Sequence, residues 1–146
     1  MSEESDPFLH ILSSYKAAVL AKDVNAFAAL YDDDVHIFDM WGAWSFRGID
    51  AWRTMAADWF SSLGTEHVIV SADAVRTTLS GDLAIGHAIL TYTAMSADGV
   101  KLRSLSNRIT MGLRRVGVSW KVFHEHTSTP IDHTSTKAIL QYSNDG

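Results

Sequence analysis

The 146-residue chain contains no cysteine. That absence removes disulfide frameworks, thiol nucleophiles, and zinc or iron–sulfur sites built on thiolates. Long apolar runs are missing too: no stretch approaches the ~18 to 20 residues of a membrane-spanning helix. Positive charge is in deficit, with 12 Lys and Arg against 17 Asp and Glu, a net charge of −5. A uniformly acidic chain repels phosphate backbones, so no nucleic-acid partner is expected. The opening Met-Ser-Glu-Glu-Ser-Asp-Pro is acidic and lacks the apolar core of a secretory signal. The expectation is a cytoplasmic protein with no membrane partner. What is present is globular composition, 47% hydrophobic and 20% charged. A single domain of this length buries roughly 70% of its unfolded surface and needs no cross-link to hold together.

Apolar residues at Phe8, Ile11, Leu12, Tyr15, Ala18 and Val19 mark one face of a helix over 6–22. Asp6 is its predicted cap, and Pro7 suits the first turn. Asp23 opens a short second helix through Tyr31, and Asp32-Asp33-Asp34 is expected to break it before a β-prone run from Val35 to Asp39. After a bend from Met40 to Gly48, Ile49, Trp52, Ala56, Trp59, Phe60 and Leu63 predict a third helix that Gly64 terminates. The remainder reads as four β-segments, 66–78, 82–97, 101–116 and 118–129, joined by short turns and therefore antiparallel. The predicted class is α+β, three N-terminal helices packed on a strongly curved, mostly antiparallel sheet. One domain spans 1–132, and 133–146 form a weakly ordered tail. Residues 83–95 carry no charge and are largely apolar on both alternating faces. Helices cover one face of such a strand, and a second subunit is the economical cover for the other, so a homodimer is expected.

The order of these pieces resembles the NTF2-like superfamily, whose members fold into a cone, and within it the SnoaL-like homologues of ketosteroid isomerase. The resemblance rests on Tyr31-Asp32-Asp33-Asp34-Val35, Arg47-Gly48 and the closing strand Trp120 to Ser128, and covers about residues 7–131. It implies a conical pocket for a small organic ligand, carbonyl-bearing or polycyclic, and chemistry without a cofactor. It implies a role for Asp39, which lies sixteen residues after Asp23 as the isomerase base follows the acid opening the second helix. Tyr15, eight residues before Asp23, matches the isomerase tyrosine that donates to the enolate oxygen. The isomerases also carry a protonated Asp on the third meander strand. Residues 105–111 hold no carboxylate, leaving Asn107 or Thr110 as weaker donors.

Asp39 itself ends the strand Val-His-Ile-Phe-Asp. Burial among apolar neighbours would raise its pKa and make it a proton acceptor near neutrality, whereas pairing with Arg47 or Arg108 would hold it as an ordinary anion. Along the last strand, alternation places Trp120, Val122, His124, His126 and Ser128 on one face, and Lys121, Phe123, Glu125 and Thr127 on the other. His124 and His126 are thereby candidate accessory acids lining the pocket, with Ser128 beside them. A His-x-His metal site completed from His36, His67, His87 or Glu125 is the alternative, and no metal is expected. The same strand resembles that of the association domain of calcium/calmodulin-dependent protein kinase, an oligomerisation module, which favours a structural role for it. Arg108 either clamps a ligand carboxylate or neutralises Asp39. Trp41 and Trp59 are candidate flat walls for a ligand, or ordinary core.

Overall fold

The computed structural model describes residues 5–143. The first four residues, which carry most of the acidic opening, and the last three residues of the expected tail lie outside the described residues.

Helix α1 spans Pro7–Ala21, and its cap forms as the sequence predicts: the Asp6 carboxylate accepts the backbone N–H groups of Phe8 and Leu9 at 3.0 and 3.1 Å. Lys22 ends it in the left-handed conformation, and its ammonium donates to the carbonyls of Gly64 and Glu66, both at 2.8 Å. Asp23 caps the short α2, Val24–Ala28, through the N–H of Ala26. Helix α3, Ile49–Ser62, buries Trp52, Ala56 and Phe60. The ring of Phe8 lies so close over Gly86 that a Cβ there would sit 2.0 Å from it, which is how α1 reaches the sheet.

Six strands form one mixed sheet in the order β2-β1-β6-β5-β4-β3. They are β1 Tyr31–Phe38, β2 Phe46–Arg47, β3 His67–Ser80, β4 Leu83–Met95, β5 Lys101–Val116 and β6 Ser119–Ser128. The last four make the expected antiparallel meander, while β1 lies parallel to β6. Two features differ from the sequence reading. The acidic triplet does not break a helix: it lies inside β1, where Asp32 is nearly buried and meets Arg114 Nε at 2.6 Å. Within the expected bend, Phe46 and Arg47 pair with Ile37 and His36 as a short edge strand.

A third difference decides what the site contains. Leu113 pairs with Val122, but Gly112 pairs with His124, so Phe123 is an extra residue bulged out of β6. Its ring covers Gly112, where a Cβ would meet Phe123 at 2.6 Å. A one-residue slip sends every later side chain to the opposite face. Beyond Phe123, therefore, Glu125 and Thr127 point into the buried layer, and His124, His126 and Ser128 point away from it.

Nor is the tail a loose end. An Asp132-capped turn and a bridge between Ile131 and Ala138 fold it back. The N–H of Ser106 then donates to the Leu140 carbonyl at 2.7 Å, and the Gln141 amide donates to the Ser104 carbonyl. The returning segment thus occupies the edge of β5 that the shorter β6 leaves bare. Among the described residues, no helix is long and apolar enough to cross a membrane.

Candidate active site on the inner face of the sheet

Between the helices and the inner face of the sheet lies a cavity of about 610 Å³. Its walls are aromatic and aliphatic: Tyr15 and Phe27 from the first two helices, Trp52, Met55 and Trp59 from α3, and Trp41 from the loop after β1. Leu140 of the returning tail completes them. The polar groups come from the sheet, as Asp39 just past β1, Tyr92 on β4, Asn107 on β5, and Glu125 and Thr127 on β6.

Asp39 looks into this hollow. Its Oδ1 accepts the Thr127 hydroxyl at 2.9 Å, and Thr127 Oγ1 in turn accepts the N–H of Met40 at 2.9 Å, which fixes the chain as it leaves β1. Neither Arg47 nor Arg108 pairs with it. Burial pushes its pKa above the ordinary carboxylate value, and bonds from Thr127 and from the backbone N–H groups of Trp41 and Met40 restrain the rise. Such a carboxylate is a stronger proton acceptor than one in water.

Glu125 is the most buried acid of the described chain, 2% exposed. Burial pushes its pKa up to about 8; the Tyr31 hydroxyl, 2.6 Å from Oε1, opposes the shift, and the charge of Asp39 adds to it. Burial thus raises the proton affinity of both acids in the cavity, and it leaves Glu125 predominantly protonated at neutral pH. The Tyr15 and Tyr92 hydroxyls are 2.9 Å apart, and burial drives both well above their usual range, so they remain neutral hydrogen-bonding groups. Asn107 donates to the Met40 sulfur at 3.6 Å, while its Oδ1 is buried with no partner among the described residues. An unpaired buried carbonyl costs roughly 1–3 kcal/mol, which a ligand donor would recover. Arg103 is the lining cation, and its guanidinium is held 2.7 Å from Glu66.

Of the residues singled out from sequence, Asp39, Tyr15, Trp41 and Trp59 line this cavity. His124, His126, Arg108 and Ser128 do not, because the Phe123 bulge and the strand alternation put them on the other face. His124 Nδ1 bonds to the His36 carbonyl at 2.7 Å, and the edge of Phe38 packs on both His124 and His126. Neither histidine can act as an accessory acid in the cavity. Arg108 Nε donates to Ser128 Oγ at 3.1 Å on the exposed face, so Arg108 neither neutralises Asp39 nor reaches a ligand in the inner cavity. Among the described residues, no three His, Asp or Glu side chains converge as metal ligands. Strict alternation puts Glu125 and Thr127 outside, and nothing in the sequence pattern singles out Tyr92. The available signal was Gly112, a mid-strand glycine that marks a place where the partner strand bulges.

A SnoaL-like domain model matches residues 9–132. The chain belongs to the SnoaL-like domain family. An NTF2-like protein of unknown function from Pseudomonas putida is 26% identical, with 98% of this chain and 99% of that one covered at a TM-score of 0.81. A scytalone dehydratase-like protein from Novosphingobium aromaticivorans shares the fold at 12% identity, covering 94% and 93% at a TM-score of 0.72. So does a calcium/calmodulin-dependent protein kinase II association-domain-like protein from Xanthomonas campestris, at 15% identity, 83% and 84% coverage and a TM-score of 0.70. No curated protein matches the sequence. One SnoaL-like fold thus carries relatives named for an enzyme and for an assembly module, and the choice between them falls on the site.

Proposed function

We propose that this SnoaL-like chain binds a small, uncharged, largely apolar organic molecule in the inner cavity and moves a proton beside its carbonyl group without a cofactor. Asp39 is the base, and the Tyr15 hydroxyl is the hydrogen-bond donor toward the developing oxyanion. One observation carries this reading: a carboxylate with a raised proton affinity faces an aromatic-walled hollow and is paired with a threonine hydroxyl instead of a cation. The lining cation is already engaged by Glu66, so the site offers little to a carboxylate ligand, and the Asp39 carboxylate that acts as base would repel one.

The test is Asp39→Asn against benzylacetone, a ketone small enough for the cavity. Trp41, Trp52 and Trp59 report binding through their fluorescence. The substitution is expected to keep the fluorescence change and to lower deuterium uptake next to the carbonyl by at least about 100-fold. Equal uptake in both proteins would contradict the reading.

A second reading, a non-catalytic assembly module, draws on the outer face of the sheet. Leu83 and Ile85 are 57% and 50% exposed there, and Ile69 on β3 is 45% exposed. We infer that this face is covered by a second copy of the chain, whether or not the cavity is catalytic. Sedimentation at micromolar concentration is expected to give twice the mass of one chain; a 16.1 kDa species would contradict it.

A further inference from the structure

Within the cavity, Glu125 goes unused by the base-and-donor chemistry above. It is fully enclosed, and the titratable side chains it interacts with are Tyr31, Tyr15, Tyr92 and Asp39, with no cation among them. Tyr31 bonds Oε1, so Oε2 remains for an occupant of the cavity. The tyrosines and Asn107 already suffice to donate hydrogen bonds to a carbonyl oxygen, and the tyrosines hold their protons far too tightly to release them. Glu125 differs in kind. Its pKa of about 8 is matched to giving up a proton near neutrality, and the Tyr31 hydroxyl stands ready to stabilise the carboxylate left behind. A reaction that needs a transferred proton, and not only a donated hydrogen bond, is the cleavage of a bond to a poor leaving group.

We propose that Glu125, held by Tyr31 in the wall that also presents Asp39, delivers a proton to a departing hydroxyl, making β-hydroxy carbonyl compounds the substrate class of this site. The step balances without any further reactant. Asp39 removes the proton from the carbon between carbonyl and carbinol; that electron pair forms the C=C bond; the C–O bond breaks; and the hydroxyl leaves as water with the Glu125 proton. The products are an enone and water. The cavity carries one negative charge before and after, moved from Asp39 to Glu125, and a proton returning from Asp39 to Glu125 resets it. This rests on the reading of Asp39 as base.

Two probes separate the claims: benzylacetone, which has no leaving group, and the aldol adduct of benzaldehyde with acetone, which loses water to give strongly absorbing benzalacetone. Glu125→Gln preserves volume and an acceptor for Tyr31 but has no proton to transfer. It is expected to slow elimination from the adduct at least about 100-fold, and by at least about tenfold more than it slows deuterium uptake by benzylacetone. In the wild type, elimination should fall above pH 8 as Glu125 ionises, and Tyr31→Phe, by removing the bond that lowers the Glu125 pKa, should move that limb upward. Elimination at the wild-type rate in Glu125→Gln would overturn the proposal and leave the Asp39 reading standing. Equal loss of uptake and elimination would assign Glu125 a structural role and overturn it as well, as would an alkaline limb that Tyr31→Phe does not move. A wild type that exchanges benzylacetone but never eliminates overturns this proposal alone; one that does neither overturns both.

Discussion

The two faces of the sheet use the same strands and almost adjacent residues, yet they differ in every respect that matters for chemistry. Inside, Glu125, Thr127, Asn107 and Tyr92 share one cavity with Asp39, and burial shifts the acids toward their protonated forms. Outside, His124, His126, Arg108 and Ser128 bond to one another's neighbours or meet solvent. The composition of β6 would suit either arrangement. What decides is one bulged residue, Phe123, seated on Gly112. Reactivity here follows from which side of the backbone a group occupies more than from which group it is.

Neighbouring residues on β5 sharpen that contrast. Asn107→Ala removes a polar group of the cavity and is expected to weaken ketone binding about two- to tenfold, the effect of roughly one hydrogen bond, as read by fluorescence titration. His126→Ala and then Arg108→Ala, on the outer face, should leave the same titration unchanged. A loss of binding in Arg108→Ala equal to that in Asn107→Ala would erase the distinction between the faces.

Much of the fold was legible. Asp6 and Asp23 are caps because short carboxylates before apolar periodicity can accept the free N–H groups of a first turn, and both do so. The meander followed from β-rich segments separated by Gly81, Gly99 and Gly117, each with positive φ. Asp39 was legible because it directly follows the apolar end of β1, and Trp59 because it keeps the helical period of α3; neither depends on the alternation of β6. The groups of β6 were not legible from alternation, since strict alternation assumes unbroken pairing and a single extra residue inverts it. The edge strand β2 is only two residues long and carries no period to detect. The tail looks weakly ordered in sequence because its hydrogen bonds go to the free edge of β5. Gln141 and its partner Ser104 are 37 residues apart, a pairing that local pattern does not reveal.

The side of the sheet on which Glu125 lies can be read directly from its carboxyl carbon by NMR titration. A glutamate outside, in water, titrates near 4.3. Enclosed by the cavity, it should still be protonated at neutrality, with a midpoint of about 8. The linked stability has a definite sign. Because the native pKa is raised, the group's contribution is complete below the unfolded value and is lost as pH rises through 8. The loss amounts to about 1.4 kcal/mol for each pH unit separating the native and unfolded midpoints. A midpoint near 8 that moves when benzylacetone binds is the predicted result. A midpoint in the ordinary range, indifferent to the ketone, would contradict the inner placement on which the proposed chemistry depends.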